Sequence, residues 1–230
     1  SGVKRKLQRK AAMWRERASF DAHWKDVATY QLPRSGRFQT TDVNRGDKRH
    51  NHIYDNTAIR ALRTLAAGMM SGTTSPARPW FRLALKDRDL MEFAPVKQWL
   101  YDTGSMMRSI YASSNTYQAL HQCYTELGAF GTWASFVQPD FDNVIHHHPM
   151  TAGEYAIATN DKGVVDTIAR EFRMTVGQMV RQFGRENCSV TVRNLADRNQ
   201  LDEWVDVIHL VEPREARDPR RHDSRSMPWS

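Results

Sequence analysis

The segment that decides the architecture of the chain runs from Ile53 to Phe81 and reads I-Y-D-N-T-A-I-R-A-L-R-T-L-A-A-G-M-M-S-G-T-T-S-P-A-R-P-W-F. Asp55 or Asn56 predicts a helix N-cap, because a short polar side chain there accepts the free N–H groups of the first turn. Gly72 predicts the end of that helix. Between them, apolar residues three and four positions apart define one buried face: Ile59, Leu62, Leu65, Ala66 and Met69.

The residues after this helix predict a change to extended chain. Pro76 and Pro79 fix the backbone of the link, since proline lacks an N–H and restricts the residue before it. From Trp80 to Leu85 the spacing predicts a strand, because alternate residues put Phe81, Leu83 and Leu85 on one face.

Upstream, Lys4 to about Leu32 has the spacing of a long amphipathic helix that Pro33 ends. From Ala11 to Leu32 it would be roughly 33 Å long at 1.5 Å per residue. A helix of that length is typical of a large assembly. Residues 33–52 predict a loop, and a loop this long tends to be functional.

Downstream, the pattern predicts helices first and strands afterwards. Pro95 suits the first turn of a helix that reaches Tyr111, and a shorter helix after residue 115 ends at Gly128 or Gly131. Strands are expected at Trp133–Val137, Tyr155–Thr159, Val164–Phe172 and Trp204–Val211, with a hairpin turn at residues 160–163.

Between the last two strands, Thr175 and Gln178 predict a capping box and a short helix that stops at Gly184. Residues 186–200 stay open, with a further short helix as one alternative. The whole pattern predicts an α+β fold of long amphipathic N-terminal helices, a small antiparallel sheet and further short helices. Three segments are expected: a long helix and extended loop at 1–52, an α+β domain at 53–211, and a charged Pro- and Arg-rich segment at 212–230.

The charge of the chain is concentrated near its start. The 230 residues contain 33 Lys and Arg against 26 Asp and Glu, a net charge of +7. Such an excess indicates either a phosphate-bearing partner, whose counterions Lys and Arg displace, or simply a solvated surface. The first five residues of the cluster are a candidate contact patch for nucleic acid or an acidic protein: Lys4, Arg5, Lys6, Arg9 and Lys10, with Arg15 and Arg17 beyond them.

Signatures of catalysis are missing from the sequence. It contains no G-x-x-x-x-G-K-[ST] loop for ATP, no G-x-G-x-x-G after a strand, no G-x-S-x-G elbow and no H-E-x-x-H pair. The two cysteines, Cys123 and Cys188, form no C-x-x-C pair and fit a reducing cytoplasm. No apolar run is long enough to span a membrane. We therefore expect no enzyme, no cofactor and no membrane partner.

The run His146-His147-His148 is the most conspicuous local feature. Consecutive strand residues point to opposite faces, so only His146 and His148 could share a metal ion. A zinc site would need a third and a fourth ligand. A metal site is therefore not expected. Asp140 and Asp142 are better explained by a turn than by metal-assisted chemistry.

Two further groups have a structural and a functional interpretation. His121 and Cys123 would make a thiol nucleophile only if they faced each other, and helix residues two apart do not. An aromatic stripe fits core or subunit contacts better than a base-stacking platform, which needs exposed rings over a groove: Trp14, Phe20, Trp24 and Tyr30.

Four blocks in order resemble the bacteriophage head-to-tail connector, or portal, family of the podovirus type. They are W-R-E-R-A-S-F-D-A-H-W-K-D-V-A-T-Y-Q-L-P at 14–33, the helix at 53–71, G-T-T-S-P-A-R-P-W-F at 72–81, and E-Y-A-I-A-T-N-D-K-G-V-V-D-T-I-A-R-E-F-R-M-T at 154–175. The third block is the most specific. The residues that carry the family motif are Tyr54, Asp55, Ser75, Pro76, Arg78, Trp80 and Phe81.

The resemblance implies a non-enzymatic ring, usually of twelve subunits, at one capsid vertex of the virion, assembled in the host cytoplasm. Double-stranded DNA passes through its channel, and its partners are the major capsid protein, the terminase and tail adaptor proteins. Family members are roughly twice as long, so the chain resembles the N-terminal half, much of it the wing, with 212–230 leading toward the stem and clip. The histidine run is not part of the family pattern.

A ring closed by head-to-tail contacts uses two different patches on each subunit. The long first helix and the 33–52 loop are candidates for one of them. The candidate subunit-interface residues are Trp14, Phe20, Trp24, Tyr30 and Arg37.

Two rival hypotheses remain: a basic nucleic-acid-binding module that uses the Lys4–Arg17 region, and a metal hydrolase that depends on His148. The first would bind DNA tightly and in a salt-dependent way. The second would retain zinc and lose activity on His148→Ala.

Overall fold

The computed structural model of the chain describes residues 2–38, 46–49, 51–214, 218, 220, 221 and 226–229. Within these residues it combines helices with two small antiparallel sheets, which confirms the predicted α+β class. The chain divides into two compact units. The first comprises the described parts of 1–23, 37–45 and 153–230, and the second those of 24–36 and 46–152.

The helices follow the predicted order closely. They are α1 (Gly2–Tyr30), α2 (Thr57–Thr73), α3 (Arg88–Glu92), α4 (Ala94–Ser113), α5 (Thr116–Phe130), α6 (Val176–Phe183) and α7 (Val190–Asp197), with a 3-10 turn at Arg185–Asn187. The helix left open for residues 186–200 is α7. The short α3, whose first turn is capped by the Asp87 carboxylate, was not predicted.

The strands form two sheets instead of the single small sheet that was expected. They are β1 (Ala134–Asp140), β2 (Val144–Met150), β3 (Tyr155–Thr159), β4 (Val165–Thr175) and β5 (Trp204–Val211). β1 pairs with β2, and the other three form a sheet in the order β3-β4-β5. The strand that sequence analysis missed is β2, which contains the histidine run.

In the first unit, the N-terminal part of α1 packs on the three-stranded sheet. Met13 lies in a buried cluster with strand residues, and Trp14 packs against that cluster; its other members are Ala156, Ala158, Ala169 and Leu210. The predicted hairpin turn is confirmed, because Asn160 Oδ1 accepts the Lys162 and Val164 N–H groups at 2.9 and 3.0 Å.

The predicted capping box begins α6 in the same unit. Thr175 Oγ1 accepts the Gln178 N–H at 3.2 Å, and Gln178 Oε1 accepts the Thr175 N–H at 3.0 Å. Val176 and Val192 then form a second small core with Cys188. Val205 of β5 packs against this core, so α6 and α7 lie beside the sheet.

The described end of the chain also belongs to the first unit. Pro213 pairs with Trp229 in an isolated antiparallel bridge, and the Trp229 indole N–H donates to Asp166 O at 3.1 Å. Residues 215–217, 219, 222–225 and 230 lie outside the described part. The expected path of 212–230 toward a stem stays a prediction.

In the second unit, α2 packs on α5. An ideal Cβ at Gly128 would lie 2.9 Å from Leu62 Cδ1 and 3.0 Å from Leu65 Cδ2, so the glycine lets the helices approach closely. The Tyr124 hydroxyl forms hydrogen bonds of 2.8 Å with the hydroxyls of Thr73 and Thr74 at the end of α2.

The strand predicted for Trp80 to Leu85 is wrong. The segment is extended but belongs to neither sheet. Its aromatic side chains pack instead on α4, where Phe81 lies 5.9 Å from Tyr111 between ring centres. Alternation shows that one face is buried, and here a helix, not a neighbouring strand, covers it.

Residues 33–38, 46–49, 51 and 52 carry no helix or strand, as the loop prediction requires. Residues 39–45 and 50 lie outside the described part. The suggested reach of this loop to a neighbouring subunit therefore stays a prediction.

Candidate assembly interface

The basic patch at the start of α1 is exposed at four of its five positions: Lys4, Arg5, Lys6 and Arg9. The side chain of Lys10 is only 17% exposed. It pairs with Glu171 on β4, and its Nζ lies 4.5 Å from the centre of the Trp14 ring. Lys10 therefore holds α1 on the sheet, and residues 4–9 offer the free positive charge.

Arg17, at the end of the same cluster, is also held within the first unit. Its guanidinium donates to Gly153 O at 3.0 Å and to Tyr155 O at 2.8 Å, and its Nε lies 3.1 Å from Asp21 Oδ1. These carbonyls lie at the start of β3, an edge strand of the three-stranded sheet. Arg17 is thus a structural residue. The basic cluster of the sequence therefore contains both cations that are paired within the chain and cations that are exposed to solvent.

The aromatic stripe of α1 divides in the same way. Trp14 belongs to the core, and Trp24 makes an edge-to-face contact with Phe130 at 6.3 Å. Phe20 and Tyr30 each expose more than half of their surface. Arg37 is half-buried, with its backbone against Gly153. Of the candidate interface residues, Phe20 and Tyr30 offer the most surface to a partner.

The family-motif residues before α2 fix the start of that helix. Tyr54 is almost fully exposed. Asn56 occupies the N-cap position, but the Asp55 carboxylate makes the capping bonds, accepting the Thr57 N–H at 2.9 Å and its hydroxyl at 2.7 Å. The bonds from the Thr57 side chain and backbone lower the pKa of Asp55.

The family-motif residues after α2 include the proline-flanked segment 76–79, which is called the strap below. Arg78 donates to Ser71 O at 2.9 Å, which anchors the proline-flanked turn to the end of α2. The Trp80 indole N–H donates to the Tyr117 hydroxyl at 3.2 Å, and its ring lies 6.1 Å from Tyr111. Ser75 Oγ accepts the Ala77 N–H at 3.3 Å.

This strap is one wall of a cleft of ≈ 360 Å³, and α4 together with the start of α5 forms the other. The cleft combines two guanidinium groups, three hydroxyls and apolar side chains, and none of its lining residues is acidic: Pro76, Ala77, Arg78, Pro79, Ser105, Arg108, Ser109, Ala112 and Tyr117. Arg108 donates to Ser105 Oγ at 2.8 Å, and its guanidinium carbon lies 5.8 Å from the centre of the Phe81 ring. Both contacts hold it in place.

The three histidines lie on β2 with the predicted alternation. His147 points inward, where its Nε2 lies 3.0 Å from Thr116 Oγ1, and Asn115 bonds its backbone on both sides at 2.8 Å. His146 and His148 are exposed, with ring centres 4.6 Å apart. Among the described residues no cluster of three or more His, Cys, Asp or Glu side chains suits a metal ion.

The Cys123 thiol is buried in α5, and this burial raises its pKa. A nucleophilic cysteine needs a lowered pKa, so the environment does not suit the thiol chemistry considered for His121 and Cys123. Within the described ranges, no helix is long and apolar enough to cross a membrane.

Comparison with known proteins assigns the chain to a family. The sequence profile described as "Bacteriophage head to tail connecting protein" matches residues 4–230. The chain belongs to this family. The connector chain is 57% identical over 223 residues to a protein of Bordetella phage BPP-1 named "Probable portal protein". It is 44% identical over 225 residues to the "Portal protein" of Salmonella phage epsilon15.

The matches cover 97% and 98% of the connector chain but 40% of each relative. The chain thus spans about two fifths of the length of these relatives. The family assigned from four short sequence blocks is confirmed.

Sequence analysis missed a buried carboxylate in the connector chain. Glu126 on α5 is 1% exposed. It accepts the Thr151 hydroxyl at 2.7 Å and the Ala152 N–H at 3.1 Å, while Thr151 Oγ1 accepts the Gly36 N–H at 2.7 Å. The network ties the end of β2 and the turn at Gly36 to α5. Its members are far apart in sequence, so no local pattern signals it.

The tip of the β1–β2 hairpin was also missed. Phe141 is fully exposed, and Val144 has a φ of +69° with 56% of its surface exposed. A β-branched residue with positive φ is strained, because its Cβ approaches the backbone. The tip of the β1–β2 hairpin therefore presents an exposed aromatic ring beside a strained residue.

We expect Val144→Asn to raise the free energy of unfolding by about 1 kcal/mol, because asparagine tolerates positive φ and Val144 buries little surface. Val165→Asn, at a similarly exposed strand position without positive φ, is the control and should lower stability. Urea denaturation of both variants measures the effect. A Val144→Asn variant that loses as much stability as the control would show that the tip is unstrained.

A second expected result concerns pH. Burial, with a further contribution from His146, lowers the pKa of His147 below its usual 6.5. The unfolded chain then binds the proton more tightly than the native chain, so stability is present above pH 6.5 and is lost as the pH falls toward the lower native pKa. Thermal denaturation from pH 7 to about pH 5 should show a smaller loss for His147→Gln than for the wild type. The exposed His121→Gln is the control and should leave the wild-type profile unchanged; an unchanged profile for His147→Gln would contradict the assignment.

Proposed function

We propose that the chain forms part of the subunit of a head-to-tail connector, a ring at one vertex of a phage capsid through which double-stranded DNA is packaged and ejected. The observation that carries the proposal is the family match over residues 4–230, with two relatives named as portal proteins at 57% and 44% identity. Because the chain spans 40% of those relatives, the activity of the whole assembly is inferred from them.

The proposal includes specific partners. They are further copies of the same subunit, twelve in a typical ring of this family, the major capsid protein, the terminase and tail adaptor proteins. The subunit would be assembled in the host cytoplasm and remain in the virion. In this proposal the connector is not an enzyme, and the terminase supplies ATP hydrolysis. Residues 53–211 would contribute to the wing.

Exposed apolar side chains support a role in assembly. Large aromatic residues project into solvent from several elements of the second unit: Tyr30, Phe93, Trp99, Tyr101 and Phe141. Aromatic side chains are enriched at protein–protein interfaces. A ring subunit would bury them against its neighbours.

The position of the basic residues also suits a conduit. Strong phosphate contacts would stall moving DNA, since each contact adds affinity at low salt. Lys10 and Arg17 are occupied within the first unit, whereas Arg15 and the four cations between residues 4 and 9 are exposed. We propose that this end of α1 contacts an acidic neighbour or lies on the outer rim, away from the bore.

Immunogold electron microscopy of virions tests the proposed place of the protein. An antibody against the chain should label one vertex of each particle, at the head–tail junction. Label spread over the capsid shell, or particles without label, would contradict the proposal.

The alternative function, a nucleic-acid-binding module, rests on the exposure of Lys4, Arg5, Lys6 and Arg9. For a connector we expect short duplex DNA to bind no tighter than the non-specific range of about 10⁻⁴–10⁻⁶ M at physiological salt. Changing these four residues to serine should leave assembly intact. Fluorescence anisotropy over a salt series measures the affinity. Nanomolar binding that the four-serine variant loses would favour the nucleic-acid module instead.

A further inference from the structure

The β1–β2 hairpin carries a free acidic and aromatic tip. Phe141 is fully exposed, so its ring contacts no other residue in the part of its own chain that the structure describes. Asp140 Oδ2 accepts the Asn143 N–H at 3.0 Å and closes the turn. Asp142 is exposed, and no ion pair or hydrogen bond of its carboxylate is found among the described residues. The tip thus offers one apolar ring and one unpaired negative charge.

The backbone of this tip is strained next to the free ring. Val144, the residue that begins β2, has a φ of +69° and is more than half exposed. Backbone strain persists where the surrounding structure or a function maintains it, and it concentrates at binding and switching sites. Here more than half of the side chain is exposed, so packing against the described residues compensates little for the strain.

The cleft between the 76–79 strap and α4 has the complementary chemistry. Arg78 and Arg108 line it without any acidic residue, and Pro76, Pro79 and Ala112 supply apolar surface. Guanidinium groups match carboxylates in a planar, two-bond geometry. A cleft of ≈ 360 Å³ with this lining suits an aromatic side chain accompanied by a carboxylate.

We propose that the hairpin tip of one copy of this chain binds in the Arg78–Arg108 cleft of the next copy. The Phe141 ring packs against Pro76, Pro79 and Ala112, and the Asp142 carboxylate pairs with the two guanidinium groups. Tip and cleft are different patches, so the contact is head-to-tail, the kind that closes rings. The inference rests on the proposed function, in which copies of the chain assemble around a channel.

Cysteine cross-linking of the complete gene product tests this contact. Asn143→Cys and Ala112→Cys together should give a ladder of disulfide-linked multimers on a non-reducing gel, and either change alone should not. Cys123 and Cys188 of the described chain are buried, and the gene product without added cysteines gives the background for comparison. Asp161→Cys with Ala112→Cys is the matched control, since Asp161 lies in an exposed turn of the other unit and should not cross-link.

Charge reversal supplies a second measurement on the same cross-linking pair. Asp142→Lys or Arg78→Glu alone should reduce the cross-linked fraction at least fivefold, and the two together should recover at least half of it. Arg82→Glu and Asp161→Lys, at exposed positions outside the cleft and tip, are the controls and should change nothing.

Electron micrographs of the unmodified protein separate the two ways to fail. Rings that form without a cross-link above the control pair, or without rescue by the double reversal, would overturn the tip-in-cleft contact and leave the connector intact. A protein that forms no ring would overturn the proposed function and this contact with it.

Discussion

Gly153→Ala is expected to lower the free energy of unfolding by about 3 kcal/mol. Gly153 has a φ of +92°, which side-chain-bearing residues rarely adopt. An alanine Cβ would also lie 3.0 Å from the carbonyl carbon of Arg37 and 3.1 Å from its nitrogen and oxygen. These are backbone atoms that cannot rotate away, so strain and overlap add. The same change would displace the Gly153 carbonyl from Arg17.

Gly163→Ala is the matched control for this effect. Gly163 has a φ of +72°, but its Cβ would meet nothing within 4 Å. Gly163→Ala should therefore lower the free energy of unfolding by about 1 kcal/mol, which is the energy needed to hold alanine at positive φ. Urea denaturation of the 230-residue chain measures both variants. Equal losses would show that the backbone near Arg37 does not approach Gly153 as closely as described.

Glu126→Ala is expected to cost about 3 kcal/mol. The change leaves the Ala152 N–H and the Thr151 hydroxyl without their acceptor in a buried site. An unsatisfied buried donor forfeits the hydration it had in the unfolded chain, and the truncated side chain leaves a cavity. The loss should appear as a lower urea midpoint with an unchanged slope.

Glu126→Gln separates hydrogen bonding from packing. Its amide oxygen can still accept a hydrogen bond from one of the two donors, and the side chain has nearly the same shape. Glu126→Gln should therefore lose only about half as much free energy of unfolding as Glu126→Ala. The exposed Glu92→Ala should have little effect, because the ion pair of Glu92 with Lys97 lies in solvent. If Glu126→Ala were as mild as Glu92→Ala, the carboxylate network would not be a stabilising element.

Local signals in the sequence predicted the elements whose causes are local. The Thr175–Gln178 capping box, the 160–163 turn and the helical spacing of α1, α2 and α4 depend on residues a few positions apart. They were therefore visible in the sequence. The Trp80–Leu85 strand was wrong for the opposite reason, because alternation cannot show whether a strand or a helix covers the apolar face.

The candidate surfaces were predicted in part for the same reason. The sequence places Lys10 and Arg17 in one basic cluster with Lys4, but only the fold brings them to Glu171, Gly153 and Tyr155. The motif from Ser75 to Phe81 was recognised as specific, yet its role as a cleft wall needs Arg108 on a distant helix. Long-range pairing of this kind has no periodic signature in one sequence.

We propose above all that this chain belongs to a subunit that packs against copies of itself around a channel. Electron microscopy of the purified complete gene product tests it most directly. We expect closed rings with one constant subunit number and a central hole. A population of single, compact particles at the same protein concentration would contradict the claim.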